Sequence, residues 1–317
     1  MRRPYFFEIF TIANFVIIQV LLWRITRAPV ATVMLTLLAL VPAFVLQALI
    51  GIGIRLAVAR ARRSDYKAII RSRRWIADSI RIIVFSVLSV HVYGWIKLSV
   101  PLLHPHLFDS ELWNVDRAIF FGHSPNIFFL DLFSTSLRFF DWTYANVFIA
   151  SLNVASIYFV SEPDERVRIG FTNSNTLMWL AGAWVYLLIP SLGPAYRFPN
   201  VWLPLSAMLG NTQQLQRILM TNYQHVLHNQ QVNILLGIAA FPSLHVAFEM
   251  LVTLWMRGRW RLLFGLITLI IFLGSIITGW HYLIDSIAGI VLAVICYVAI
   301  AIPQRRKMFA TANATAD

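Results

Sequence analysis

Long apolar segments alternate with short polar ones along most of the chain. A helix needs about 20 mostly apolar residues to cross the hydrocarbon core of a bilayer. Measured against that length, the pattern predicts about eight spanning helices joined by short polar connections. The predicted spans are residues 6–24, 30–54, 77–100, 142–160, 170–190, 237–256, 261–280 and 282–301.

Two places depart from this regular pattern. Segment 126–140 is apolar but short, and Asp131 and Arg138 interrupt it, so it predicts a helix lying in the membrane interface. The last two predicted spans almost touch, which requires a tight turn at Gly279-Trp280-His281.

Composition supports a membrane protein over a soluble one. The 317 residues are 59% hydrophobic and only 13% charged, which is too little polar surface for a soluble domain of this length. The 11 Trp and 10 Tyr suit the membrane interface. The single cysteine, Cys296, excludes an internal disulfide framework and a thiolate metal cage. The predicted fold is an all-α, polytopic helical bundle.

The positive charge is distributed unevenly, and its placement predicts the orientation. Arginines and lysines cluster at 55–74, 257–261 and 305–307, which lie on one side together with both termini. Cytoplasmic loops carry such an excess. We therefore expect a multi-pass protein of the cell (inner) membrane with cytoplasmic termini. The basic stretch 60–74 is expected to lie on anionic lipid headgroups, so the charge of +12 does not indicate a nucleic-acid partner.

This orientation brings three polar segments to the non-cytoplasmic face: 191–236, 241–245 and 279–285. Ionisable residues near apolar spans are costly and are usually retained for function. The three segments are therefore the candidate site.

His281 and Asp285 form the first candidate group, because a spacing of four residues places both side chains on one helix face. The carboxylate can accept one ring N–H, which leaves the other nitrogen free as a nucleophile for a phosphoryl group. The alternative is a pair that only caps a helix near the interface.

His245 forms the second group together with Ser243, behind Pro242 at the predicted start of a span. The free N–H groups of a helix N-terminus favour anions, and Ser243 adds a hydroxyl donor for a phosphate. His245 can then protonate a leaving alkoxide. Alternatively, it is an ordinary interface histidine.

The stretch from Pro190 to Pro199 is the third element. Its glycine, Gly193, and its prolines predict a turn. Arg197 can bind phosphate oxygens through its planar fork, beside Tyr196. The alternative is an interfacial arginine next to an aromatic anchor.

Together these three elements resemble the signatures of the type 2 phosphatidic acid phosphatase superfamily of membrane enzymes. The resemblance implies that His281 is the nucleophile, Asp285 its orienting partner and His245 the acid, with no metal or other cofactor. It implies a six-span catalytic core over 77–302, to which 1–76 adds two spans and a basic cytoplasmic segment and 303–317 a cytoplasmic tail.

Two departures from those signatures point to one branch of the superfamily. Ser275 stands where its phosphatases usually have an arginine, and no lysine precedes Arg197 in the usual pattern. Both features look more like inositol phosphorylceramide synthase and related lipid phosphotransferases. The phosphate charge would then rest on Arg197, Ser243 and backbone donors.

Two further features leave alternatives open. Glu249 follows His245 by four residues, and it either accepts a hydrogen bond from that ring or is a protonated acid bonded to a neighbouring helix carbonyl. Segment 200–236 is rich in amides, which either bind sugar or inositol hydroxyls or belong to a solvated loop with an amphipathic helix. The amides are Asn211, Gln213, Gln214, Gln216, Asn222, Gln224, Asn229 and Gln230.

The combined hypothesis is a membrane lipid-phosphate phosphatase or phosphotransferase that works through a phosphohistidine at the non-cytoplasmic face. Its partners would be a lipid phosphate and a lipid or polyol acceptor. The competing hypothesis is a transporter or a non-catalytic scaffold. The enzyme hypothesis requires His245, His281 and Arg197 to face one pocket.

Overall fold

A computed structural model describes residues 4–25, 30–62, 64–229 and 235–314. Within these ranges the chain forms α-helices joined by turns and two short 3₁₀ segments, and no strand occurs among the described residues, which confirms the all-α prediction. The helices are α1 (Phe6–Ile25), α2 (Val30–Arg62), α3 (Tyr66–Arg71), α4 (Arg73–Leu103), α5 (Asp109–Ile119), α6 (Pro125–Leu132), α7 (Leu137–Val160), α8 (Glu165–Leu188), α9 (Pro194–Arg197), α10 (Pro199–Trp202), α11 (Gly210–Asn229), α12 (Leu244–Trp255), α13 (Arg259–Ile277) and α14 (Leu283–Ala314).

Five helical stretches in the described part of the chain are long and apolar enough to cross a membrane: Leu38–Arg62, Arg73–Leu103, Ser134–Val160, Arg259–Ile277 and Leu283–Gln304. Two apolar helices, Phe6–Leu21 and Leu244–Trp255, are shorter. Helix α8 is long enough, but the polar run from Thr172 to Thr176 lowers its hydropathy. The protein is therefore a multi-pass membrane protein. Five of the eight predicted spans correspond to helices that are long and apolar enough to cross a bilayer.

The sixth predicted span, 237–256, has the wrong start, because its helix begins only at Leu244. The preceding residues form a non-helical segment that runs beside the candidate site. The Ala240 N–H donates to the carbonyl oxygen of Ser191 at 2.9 Å. Ser243 then caps α12 by accepting the Val246 N–H at 3.5 Å.

The predicted interfacial helix over 126–140 is also incorrect in its extent. Helix α6 ends at Leu132, a 3₁₀ turn covers Ser134–Ser136, and α7 begins at Leu137 and continues as a span. Within 126–140, only α6 is therefore a separate short helix.

Helix α12 is the centre of the bundle and packs against α7, α8, α13 and α14. Its apolar residues Leu244, Val246, Leu251 and Val252 are almost completely buried. Helix α14 approaches it closely at Gly289, where an added Cβ would lie 2.3 Å from the Ser243 carbonyl oxygen. This close approach fixes the N-terminus of α12 against the N-terminal half of α14.

The N-terminal helices are integrated into this bundle. Helix α1 packs against α4 and α8, and α2 packs against α4 and α7. Charged pairs join these helices to the rest: Arg81 bonds Glu8, and Arg55 pairs with Glu162 at 2.7 Å. Both pairs are only partly exposed, so leaving either charge without its partner would be costly.

Candidate active site

The two predicted catalytic histidines lie next to each other. Nε2 of His281 is 3.5 Å from Nδ1 of His245. Nδ1 of His281 donates to the carbonyl oxygen of Ala240 at 2.9 Å, and since a carbonyl can only accept, the ring proton of His281 lies on Nδ1. The lone pair of Nε2 therefore faces His245, as a nucleophile would require.

Asp285 lies close to this ring, but the geometry differs from the helical pair expected. His281 precedes α14, which begins at Leu283, so the two residues do not share a helix face. The Asp285 carboxylate accepts the Tyr282 N–H at 2.9 Å and lies 3.5 Å from Nδ1 of His281. Asp285 thus caps α14 and places a carboxylate beside the ring.

Burial keeps the imidazole of His281 neutral. His281 is only 3% exposed, and this burial lowers its pKa to about 3, with the charge of Lys97 acting in the same direction and the Ala240 bond opposing it. The imidazole therefore holds an unprotonated Nε2 across the whole neutral range.

His245 occupies the first turn of α12 in an aromatic cage. Its ring centroid lies 4.4 Å from that of Phe148 and 5.4 Å from that of Tyr144. Ser243, just before it, donates its N–H to the Asp285 carbonyl oxygen at 2.9 Å. Ser243 is fully buried, and its Oγ caps the helix as an acceptor.

The third element forms the predicted turn and touches the histidine loop directly. Gly193 has a φ of +106°, which favours glycine, and an added Cβ would lie 2.4 Å from the Trp280 carbonyl oxygen. The Ala195 N–H donates to the carbonyl oxygen of Gly279 at 2.9 Å. Gly279 has a φ of +75°, so the tight turn predicted before His281 is also present.

Arg197 lies at the outer edge of this cluster and not beside the histidines. Its exposed guanidinium bonds Ser110 Oγ at 3.2 Å and lies over the Phe198 ring. The neighbouring Tyr196 donates its hydroxyl to the Gln216 carbonyl oxygen at 3.0 Å. Among the described contacts none joins Arg197 to His245 or His281. Of the three residues expected to face one pocket, the structure thus brings the two histidines together and leaves Arg197 at the margin.

Two carboxylates of α5 that no sequence motif singles out hold both loops. Asp109 accepts the N–H of Gly193 at 2.8 Å and the Tyr282 hydroxyl at 2.9 Å. Asp116 accepts the N–H groups of Leu283 and Ile284 at 2.6 and 2.8 Å. Their spacing of seven residues puts them on one helix face.

Both carboxylates are buried, and burial raises the pKa of Asp109 and raises that of Asp116 to about 7. The N–H donors oppose the shift in each case. The only sequence signal for them was an acidic, amphipathic stretch between two spans.

The turn before His281 is fixed by polar side chains as well. Asn126 donates to the carbonyl oxygens of Ile276 and His281 at 2.9 and 3.0 Å. The carbonyl oxygen of Ser275 accepts the His281 N–H at 3.0 Å, and its hydroxyl lies 3.0 Å from that of Ser286. Ser275 therefore supports the loop without supplying charge.

Several amides of segment 200–236 bond to the protein backbone. Gln213 donates to the Trp202 carbonyl oxygen at 2.6 Å, Gln216 to that of Thr278 at 3.4 Å and Asn222 to that of Leu236 at 2.6 Å. This arrangement favours the amphipathic-helix alternative, α11, for these residues. Gln230 and the side chain of Asn229 lie outside the described residues.

Glu249 matches neither of its two expected arrangements. Its carboxyl group accepts the hydroxyl of Ser151 on α7 at 2.7 Å. Glu249 is fully buried. Its bond to Ser151 links α12 to α7 one helical turn below His245.

No group of three or more His, Cys, Asp or Glu side chains in the described ranges is arranged to hold a metal ion.

A family model described as the PAP2 superfamily matches residues 110–299, from α5 into α14. The chain belongs to the PAP2 superfamily. The match includes Arg197, His245, His281 and Asp285, and it confirms the superfamily expected from the sequence. No curated protein and no solved structure matches the chain. The membership supports a phosphatase-type function in a membrane.

Proposed function

We propose that this PAP2 superfamily member cleaves or transfers lipid-linked phosphate through a covalent phosphohistidine on His281. The observation that supports it most is the unprotonated Nε2 of His281, which faces His245 at 3.5 Å. A nucleophile beside an acid, held by a third group, is the arrangement that covalent catalysis requires.

In the first step, Nε2 of His281 attacks phosphorus while the bond to the lipid oxygen breaks. The leaving oxygen takes a proton from the imidazolium form of His245, which becomes the neutral imidazole. In the second step, His245 takes a proton from water or an alcohol, whose oxygen attacks phosphorus and releases His281. The imidazolium character that forms on His281 is stabilised by the Ala240 carbonyl and the Asp285 carboxylate, 2.9 and 3.5 Å from Nδ1.

The histidines are too close for a phosphoryl group to lie between them. Binding of the substrate therefore requires one ring to rotate. His245 lies in contact with Phe148 and Tyr144, whereas His281 is bonded to Ala240, so the His245 ring is the one expected to move.

A cavity of about 250 Å³ supports a lipid as the substrate. It lies between α2, α4, α7, α8 and α12 and is lined largely by apolar side chains, including Phe44, Phe159 and Phe248. Phe248 packs against Phe148, which contacts His245. An acyl chain in this cavity would thus extend from the membrane toward the histidines.

Transfer to a lipid or polyol alcohol is the finer proposal, in line with the inositol phosphorylceramide synthase-like branch. Its support is Ser275, whose hydroxyl is bonded within the protein and supplies no positive charge. Other residues must then stabilise the negative charge of the phosphate. We propose that Arg197, at the margin of the site, is one of them.

The test is a purified-protein assay in nanodiscs with ³²P-labelled lipid phosphates, run with and without a candidate acceptor alcohol. A transferase gives a labelled lipid that depends on the acceptor, and a phosphatase releases inorganic phosphate in both cases. Absence of both products across phosphomonoester and phosphodiester lipids would contradict the proposed function.

The active site is proposed to lie on the non-cytoplasmic face of the cell membrane, from the distribution of basic residues. Gln214 is exposed on α11 and gives a direct test. In a Cys296→Ser background, a cysteine at Gln214 should react with an impermeant maleimide in intact cells. Labelling only after permeabilisation would reverse the orientation.

A further inference from the structure

Lys97 carries a positive charge in the spanning helix α4 and is only half-buried. Its Nζ lies 5.4 Å from the ring centroid of Tyr186 and 5.8 Å from that of Tyr93. A charged residue in a spanning segment usually faces the bundle interior and marks a substrate path.

The ammonium of Lys97 lacks a carboxylate partner among the described ion pairs, which distinguishes it from other charges in the bundle. Arg55 pairs with Glu162 at 2.7 Å, and Arg168 lies 3.8 Å from Asp78. The aromatic faces beside Lys97 attract a cation only weakly compared with an anion. An anionic ligand would supply the negative charge that the described neighbours of Lys97 do not provide.

The position of Lys97 connects it to the histidines. An added Cβ on Gly237 would lie 3.1 Å from Cγ of Lys97, so the lysine stem packs against the start of the non-helical segment before α12. Three residues later, Ala240 accepts the hydrogen bond from His281. The charge of Lys97 lies within electrostatic range of both histidine rings.

We infer that Lys97 binds the phosphate group of the substrate, contacting its non-bridging oxygens while phosphorus lies at Nε2 of His281. This inference rests on the proposed function and adds a residue from outside the matched segment 110–299. A lysine offers three donors on a flexible stem, so it can follow a phosphoryl group from the lipid to the histidine. Tyr93, whose ring lies beside the Lys97 ammonium, also lines the apolar cavity. A lipid whose tail occupies this cavity would therefore place its headgroup near Lys97.

The probe is hexadecylphosphonate, which carries a phosphate-like anion and a lipid tail but has no leaving alcohol. Its binding to the full-length protein in nanodiscs reports on recognition without turnover. Replacing Lys97 by Met keeps a similar stem and removes the charge. Loss of a charge-assisted contact should weaken Kd by roughly 10–100-fold.

Two variants accompany this measurement. Lys97→Arg keeps the charge and should bind the phosphonate almost as tightly as the wild type does. Arg138→Met removes an exposed charge near the start of α7 and should bind as the wild type does. Unchanged phosphonate binding by Lys97→Met would overturn the inference.

A rescue experiment excludes misfolding as the cause. In a Cys296→Ser background, Lys97→Cys can be alkylated with 2-bromoethylamine, which restores an ammonium at nearly the same reach. Binding should return after alkylation. Failure of the alkylated, correctly folded protein to regain affinity would also overturn the inference.

The outcome is separable from the proposed function. If no lipid phosphate is turned over, yet the phosphonate binds the wild type and not Lys97→Met, the proposed function fails and only the recognition of a phosphate-like anion by Lys97 stands. If lipid turnover by Lys97→Met shows an unchanged KM, the inference fails and the function stands.

Discussion

The carboxylate of Asp109 accepts the hydroxyl of Tyr282 at 2.9 Å, directly after the proposed nucleophile. The same carboxylate accepts the N–H of Gly193 from the opposite loop. One side chain of α5 therefore ties together two loops that are distant in sequence. This tie holds the loop that carries His281, and no described hydrogen bond joins Asp109 to His281 itself.

Tyr282→Phe should test the tie with minimal change. The ring and its packing against Trp113 remain, while the bond to Asp109 is lost. We expect a loss of about 1–3 kcal/mol in unfolding free energy and a several-fold lower kcat. Tyr297→Phe removes the hydroxyl of a tyrosine far along α14 and should change neither quantity. Equal effects of the two variants on kcat would contradict the positioning role.

Asp116 should leave a signature in the pH dependence of stability. Burial raises its folded-state pKa from 3.8 to about 7, so the folded protein holds the proton more tightly than the unfolded chain. The free energy of unfolding should therefore decrease as pH rises from about 4 to about 7. Asp116→Asn should flatten this dependence, measured by thermal unfolding in detergent across that range. The exposed Asp131→Asn variant is the control, and an unchanged slope in Asp116→Asn would refute the assignment.

Glu249→Gln should leave the pH–rate profile in place. The carboxyl group bonds Ser151 and not His245, and the glutamine amide keeps an oxygen that can accept from Ser151. We expect near-normal kcat and an unshifted acidic limb. A limb displaced to lower pH would show that Glu249 acts on His245 during turnover.

Arg197→Lys tests the remaining phosphate ligand proposed from the sequence. Lysine keeps the charge but loses the planar fork, so kcat/KM should fall by about tenfold if the guanidinium binds phosphate. Ser110→Ala removes its present partner and should have little effect. Wild-type kinetics in Arg197→Lys would reduce Arg197 to a surface anchor.

Much of the fold followed from the lengths of the apolar segments, since spanning requires a minimum length. The error at 237–243 has a local cause. This apolar stretch bonds to Ser191 and His281 through its backbone, so it leaves the helix to form a wall of the site. Apolar composition alone cannot distinguish such a wall from a helix.

The residues of the candidate site that belong to the sequence motifs could be predicted to lie together. His245, His281 and Asp285 do come together, because their motifs lie at the ends of adjacent helices. Asp109 and Asp116 accept hydrogen bonds from backbone N–H groups. Because almost every residue has such a group, no sequence pattern identifies the partners of these two carboxylates. The position of Lys97 likewise depends on how α4 packs against Gly237.

The covalent intermediate is the most direct test of the central claim. The protein should be mixed with ³²P-labelled lipid phosphate, quenched with alkali within milliseconds and analysed by mass spectrometry. A phosphohistidine is stable to alkali and labile to acid, and the label should map to His281. His281→Gln should fold, bind hexadecylphosphonate and carry no label, and His245→Gln should form the label more slowly, by about 10²–10⁴-fold. Turnover of a lipid phosphate by His281→Gln at the wild-type rate, or a label on another residue, would contradict the account.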